Sequence, residues 1–214
     1  MSDQPGGALA PAVTLLVVRH GESEWNALGR WQGQANPHLS PRGRDQAVLA
    51  ARFLSQERID RVVCSDLERA SRTGAIIAEM LGLPPPSIEQ GLREIDVGEW
   101  SGLTRPEIEL RWPNLLAQWS EGRLESTPGG ETLSALRVRV AGAVNKLLAT
   151  ELSLNGARAR TVLVISHRRA ISALEESLGV RPVRAGHLAG RRFFADPSGK
   201  LFAGEPVDLL GSQT

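Results

Sequence analysis

Three short runs along the chain are apolar at nearly every position: 13–18 (VTLLVV), 61–64 (RVVC) and 161–165 (TVLVI). Their length and their Val, Ile and Leu content predict strands buried on both faces, as in a parallel sheet. Between them, apolar positions recur at helical spacing. Leu67, Ala70, Gly74, Ile77 and Leu81 line one face of a predicted helix, which Gly82 and then Pro84 to Pro86 bring to an end. In "LSPRGRDQA", Ser40 stands where an N-cap belongs and Pro41 at the first helical position. Leu133, Arg137, Val140, Val144 and Leu147 give an amphipathic helix whose stripe one arginine interrupts, and 171–178 suggests another. Near the end, 191–194 and 200–202 flank "DPSG", a good turn sequence, and predict a hairpin.

Strands alternating with helices predict an α/β fold of three layers, α/β/α, around a mainly parallel central sheet. Neither a repeat nor a second domain is visible. The expected organisation is a flexible N-terminal tail over 1–12 and a single domain over 13–214; the tail, "MSDQPGGALAPA", lacks the basic start and apolar run of a signal peptide. Segment 92–130, with Trp100, Trp112 and Trp119 among Gly and Pro, reads as a lid or insertion over one sheet edge.

Composition narrows the partners. At 214 residues the chain can enclose a core without metal or disulfide staples. The formal net charge is only +1, so no global field recruits nucleic acid or a membrane surface, and any anion site must be local. No window approaches the roughly 20 apolar residues of a membrane helix. Lys146 and Lys200 are the only lysines, which leaves the positive charge on arginine, suited to bidentate pairing with carboxylate or phosphate. Cys64 is the single cysteine; a reducing compartment, the cytoplasm, is expected. A homodimer is compatible with base rates.

Open α/β sheets hold ligands beyond the carboxyl ends of their strands. The first run delivers Arg19 and His20, the second Ser65, Asp66 and, within a turn, Arg69, the third Ser166 and His167. Two imidazoles and two guanidiniums converging on one rim suit a tetrahedral dianion, which the arginines neutralise while a histidine attacks. Phosphate is the obvious candidate. Gly21 would permit close backbone approach, and a helix from near Ser23 would aim amide hydrogens at the anion. Taken singly, His20 and His167 would more simply cap strands; the repetition after three strands favours a site. Cysteine phosphatase chemistry is set aside: it needs five residues between cysteine and arginine, Cys64 and Arg69 are separated by four, and two of these are acids. Cys64 is expected in a buried strand.

"RHGESEWN", "SDLERASRTG", "LREIDVGEWSG" and "SH" after an apolar strand, in that order, resemble the successive motifs of the histidine phosphatase superfamily, the phosphoglycerate mutase-like proteins. The resemblance implies that His20 is the nucleophile and forms a phosphohistidine. It implies that Arg19, Arg69 and His167 line the phosphate pocket, and that Glu94 is the proton donor that later activates water. Asp96 and Glu99 lie near enough in sequence to compete for that role. Asn26, Gln32 and Gly33, in "RWQGQ" and just before it, match the phosphatase branch's phosphoryl contacts, and no metal or cofactor is implied. The resemblance thus points to a phosphomonoesterase of the histidine acid phosphatase type acting on a small phosphorylated substrate. A cofactor-dependent phosphoglycerate mutase and a non-catalytic phospho-ligand binder are the alternatives.

The pattern departs from the family at "SHRRAIS", where Arg168 and Arg169 replace two small residues. Two cations at a helix N-terminus oppose its dipole. Either a second anionic group on the substrate or an acid such as Glu175 or Glu176 is expected to compensate. Glu22 and Glu24 read as solvated or helix-start charges, His38 and His187 as incidental, and "TPGGET" as turn and capping chemistry. Trp31, Trp100, Trp112 and Trp119 divide between pocket wall and core, at least two being core.

Overall fold

The structure, a computed structural model, describes residues 12–154 and 158–211. Six strands form one sheet: β1 (Val13–Arg19), β2 (Arg61–Cys64), β3 (Ser87–Ile88), β4 (Arg160–Ser166), β5 (Ala189–Ala195) and β6 (Leu201–Asp208). Their order across the sheet is β3-β2-β4-β1-β5-β6. The first four in that order run parallel, whereas β5 is antiparallel to both neighbours. The three apolar runs are the central strands, and the hairpin around "DPSG" is β5 and β6. Only β3, two residues long, has no apolar run to announce it.

The helices are α1 (Glu24–Ala27), α2 (Pro41–Leu54), α3 (Glu68–Met80), α4 (Arg105–Arg111), α5 (Leu115–Ser120), α6 (Leu133–Ser153) and α7 (Arg168–Ser177). Leu15 and Val17 of β1 pack with α6 and α7, while Leu16 and Val18 pack with α2 and α3. Alternate side chains of one strand thus feed two apolar layers, which makes the three-layer α/β/α architecture. Ser40 Oγ accepts the Gly43 N–H at 3.0 Å and Pro41 opens α2, as the sequence predicts. Arg137, the break in the α6 stripe, pairs with Glu176 of α7 at 3.0 Å.

Residues 1–11 of the expected tail lie outside the described residues. Ala12, its last residue, is part of the fold: it is buried and hydrogen-bonds to both Ala195 and Arg160. No described helix is long and apolar enough to cross a membrane.

The parallel arrangement places the ends of β1, β2 and β4 on one rim. Gly21 and Gly43 seat the loop after β1 on α2, because a Cβ on Gly21 would lie 2.6 Å from the Gly43 carbonyl oxygen. Gly21 is therefore required by chain packing.

Candidate active site

His20 is buried, and its Nδ1 lies 2.6 Å from the Gly21 carbonyl oxygen. A carbonyl can only accept, so Nδ1 carries the proton and Nε2 the lone pair. Arg69 donates from Nε to that Nε2 at 3.2 Å, and from Nη1 and Nη2 to the carbonyls of Ala35 and Gly33 at 2.7 and 2.8 Å. Gly33 has φ +53°, and a Cβ there would stand 2.7 Å from Val97 Cγ2. Glycine alone lets this turn present its carbonyl to Arg69.

His167 occupies the N-cap of α7, its ring 5.0 Å from that of His20. Both its ring nitrogens are buried without a hydrogen-bond partner. Burial holds the pKa of both histidines well below the ordinary value, and Arg69 and Arg19 push in the same direction. Burial and then Arg168 press Arg19 down to about 10, while burial brings Arg69 to about 10 despite Glu94. Two cations and two neutral, lone-pair-bearing imidazoles crowded together are costly without an anion among them.

Glu94 lines the same cavity, which holds about 640 Å³. Its Oε1 accepts from the N–H of Ile95 at 2.9 Å and of Arg169 at 3.1 Å. Arg139 staples the loop that carries it, donating to the carbonyls of Gly91, Arg93 and Glu94. Arg93 pairs with Asp66, leaving Glu94 free of it. Asp96 caps the Gly98 N–H at 2.9 Å, and neither it nor Glu99 lines the cavity. Glu94 is thus the carboxylate that lines the cavity with His20, whereas His167 lies buried behind the lining.

Asn26 and Gln32 also line the cavity, and both carbonyl oxygens turn toward Ser23. The Ser23 backbone N–H, an obligate donor, contacts Asn26 Oδ1 at 3.2 Å, and Ser23 Oγ contacts Gln32 Oε1 at 2.8 Å. Fixing the oxygens inward leaves both amide NH₂ groups for a ligand. The helix expected to supply amides here is only the four-residue α1; its Asn26 N–H is spent on Ser23 Oγ. What Asn26 presents to the cavity is its side chain.

His187 overturns its reading as incidental. It lies 6.2 Å ring to ring from His20, with Nε2 3.3 Å from Asn26 Oδ1, and burial lowers its pKa to about 3. No motif surrounds it; β5 pairing with β1 brings it to the site. Glu22 is likewise not fully solvated, since its carboxylate accepts from Ser40 Oγ. His38, by contrast, is exposed beside Glu68, away from the cavity.

Arg168 and Arg169 begin α7 and line the cavity. Neither proposed acid compensates them, because Glu175 pairs with Arg191 and Glu176 with Arg137. Arg169 instead lays its guanidinium 5.2 Å over Trp119. Trp100 and Trp119 are core, and Trp119 also shares the cavity wall with Trp31. "TPGGET" does serve as capping chemistry, Thr132 Oγ1 accepting the Ala135 N–H.

A family model described as the histidine phosphatase superfamily (branch 1) matches residues 15–189. Phosphoserine phosphatase 1 of Hydrogenobacter thermophilus is 38% identical over 156 residues, 72% of this chain and 71% of that protein. A 2,3-bisphosphoglycerate-dependent phosphoglycerate mutase of Methylobacterium radiotolerans is 37% identical over 165 residues, 75% of this chain and 76% of its own. Among solved structures, a mycobacterial glucosyl-3-phosphoglycerate phosphatase complexed with VO3 superimposes with a TM-score of 0.81 at 29% identity, covering 92% of this chain and 98% of that one.

Proposed function

The chain belongs to branch 1 of the histidine phosphatase superfamily, and from that premise we propose that it hydrolyses phosphomonoesters of small metabolites through a phosphohistidine. The observation that carries this reading is the orientation of His20: Nδ1–H is committed to Gly21, and the Nε2 lone pair faces Arg69 beside the unpartnered nitrogens of His167. Nε2 attacks phosphorus, the ester P–O bond breaks, and Glu94 in its acid form gives its proton to the departing alkoxide oxygen. The Glu94 carboxylate then takes a proton from water, whose oxygen attacks phosphorus. The P–N bond breaks, and inorganic phosphate leaves His20 neutral with its Nδ1 proton in place. Arg19, Arg69 and His167 hold the equatorial oxygens, supported by the amides of Asn26 and Gln32, so charge stabilisation comes from positioned side chains. On this reading the reaction runs without a metal, as in histidine acid phosphatases. The single cysteine, Cys64, free and buried, supports a cytoplasmic setting.

The mutase among the relatives keeps a second reading in view, because transfer back to substrate uses the same phosphohistidine. Phosphate release from a panel of monoesters, including 3-phosphoglycerate, with product isomers analysed and chelator present, separates the two. Release that His20→Ala reduces by more than 10³-fold, in a variant that still folds, is the expected result. Isomerisation without release, dependent on a bisphosphorylated primer, would replace phosphatase with mutase.

A further inference from the structure

Seven arginines line the cavity: Arg19, Arg30, Arg69, Arg105, Arg168, Arg169 and Arg184. Glu94 is the single carboxylate among the lining side chains. Elsewhere the protein pairs arginine with acid routinely; Arg61 and Arg160 share the buried Glu151, Arg139 takes Glu131, and Arg191 takes Glu175. In the cavity only Arg30 has such a partner, Glu107 at 3.3 Å. Among the described residues, the other six have no carboxylate within salt-bridge distance. Among the described residues Arg44, Arg52, Arg72, Arg111 and Arg181 also lack a carboxylate partner, but each is exposed and none lines the cavity, where six such guanidiniums are gathered.

One phosphate does not account for it. Six unpaired guanidiniums face one carboxylate, so a phosphate dianion leaves about three positive charges unanswered around one cavity, where their fields add. Arg19 and Arg69 belong to the phosphoryl end, beside His20. Arg169 is turned onto Trp119, and its backbone N–H holds Glu94. Three remain: Arg105 at the start of α4, Arg168 at the start of α7 and Arg184 in the loop before β5. They come from three separate elements and are all exposed at the cavity, free to close on a ligand. Neither Glu175 nor Glu176 is available to Arg168, since each is held by another arginine.

We propose that Arg105, Arg168 and Arg184 form a second anion subsite, so that the substrate is a phosphomonoester carrying a further carboxylate or phosphate away from the scissile bond. This rests on the phosphatase reading, whose residues it extends from the reacting group to the rest of the substrate. Guanidinium forks suit either anion. The subsite gives affinity and orientation, and no bond changes there.

Two matched pairs test it. 3-Phosphoglycerate and glycerol 3-phosphate differ by a carboxylate against a hydroxymethyl group; fructose 1,6-bisphosphate and fructose 6-phosphate differ by one phosphate. For the protein as it stands, kcat/KM should favour the doubly anionic member of at least one pair by ten-fold or more, and the favoured pair identifies the second anion. In the combined variant Arg105→Gln, Arg168→Gln, Arg184→Gln that preference should shrink at least ten-fold, chiefly through KM. The same comparison by calorimetric binding to His20→Ala, which cannot turn over, reads the subsite even if phosphate release fails. Loss of release with the binding preference intact would overturn the phosphatase reading alone. Equal treatment of both members of both pairs, or a preference the triple variant keeps, would overturn the subsite.

Discussion

Lowering the pH from 7.5 to 5.5 should destabilise this protein by about 3 kcal/mol through two residues, His20 and His167. Both are buried, 3% and 0% exposed, and both have pKa values well below 6.5 in the fold, burial being the largest cause and Arg69 the next. Below pH 6.5 the unfolded chain takes up protons at these positions and the folded chain does not. Stability is therefore full above pH 6.5 and falls as the pH falls through that value. With an unfolded pKa of about 6.5, each histidine contributes roughly 1–2 kcal/mol between pH 7.5 and 5.5. That is a large share of a typical stability of roughly 5–15 kcal/mol. His187, its pKa lowered to about 3, adds in the same direction. His38 acts oppositely, because Glu68 raises its pKa, and His38→Gln removes that contribution. Depressed carboxylates such as Asp60, at about 2, contribute stability that is lost only in more acid solution. Urea unfolding at pH 7.5, 6.5 and 5.5 in phosphate-free buffer measures the effect. His20→Asn and His167→Asn should each remove about half of the two-residue loss, and added phosphate should flatten the slope by answering Arg19 and Arg69. Equal stability at pH 7.5 and 5.5, or a loss unchanged in the double variant, would refute the buried, neutral pair.

Two further outcomes follow from the site's geometry. Glu94→Gln should lower kcat/KM for alkyl phosphates by about 10²–10⁴-fold and for 4-nitrophenyl phosphate far less, because nitrophenolate leaves without a proton; equal losses would remove the acid role. Ser23→Ala should weaken the α1 cap by about 1 kcal/mol and release the Gln32 amide, while the backbone N–H at position 23 still holds Asn26, lowering kcat for ester cleavage several-fold; steady-state kinetics beside a melting curve separates the two effects, and unchanged kcat would mean that Ser23 does not orient the Gln32 amide.

Much of the catalytic rim was legible in the sequence because its signals are local. An apolar run long enough for a buried strand, followed by a charged or imidazole side chain, already fixes where Arg19, His20 and His167 stand. The Ser40 and Pro41 start of α2 and the "DPSG" turn are equally local, depending on backbone geometry a few residues long. What a run of residues does not carry is the partner across the sheet. The pairing of β5 with β1 brings His187 beside His20, and nothing near position 187 signals it. Gly21 was rightly marked as a close approach, but only the fold shows that the approaching atom is the Gly43 carbonyl. Charge shows the division most plainly. A net charge of +1 is a property of the whole sequence, whereas which arginines find a carboxylate and which gather unpaired around the cavity is decided by which acids the tertiary structure carries within reach. Coulomb interaction depends on distance in space, and distance in space between remote residues is set by packing.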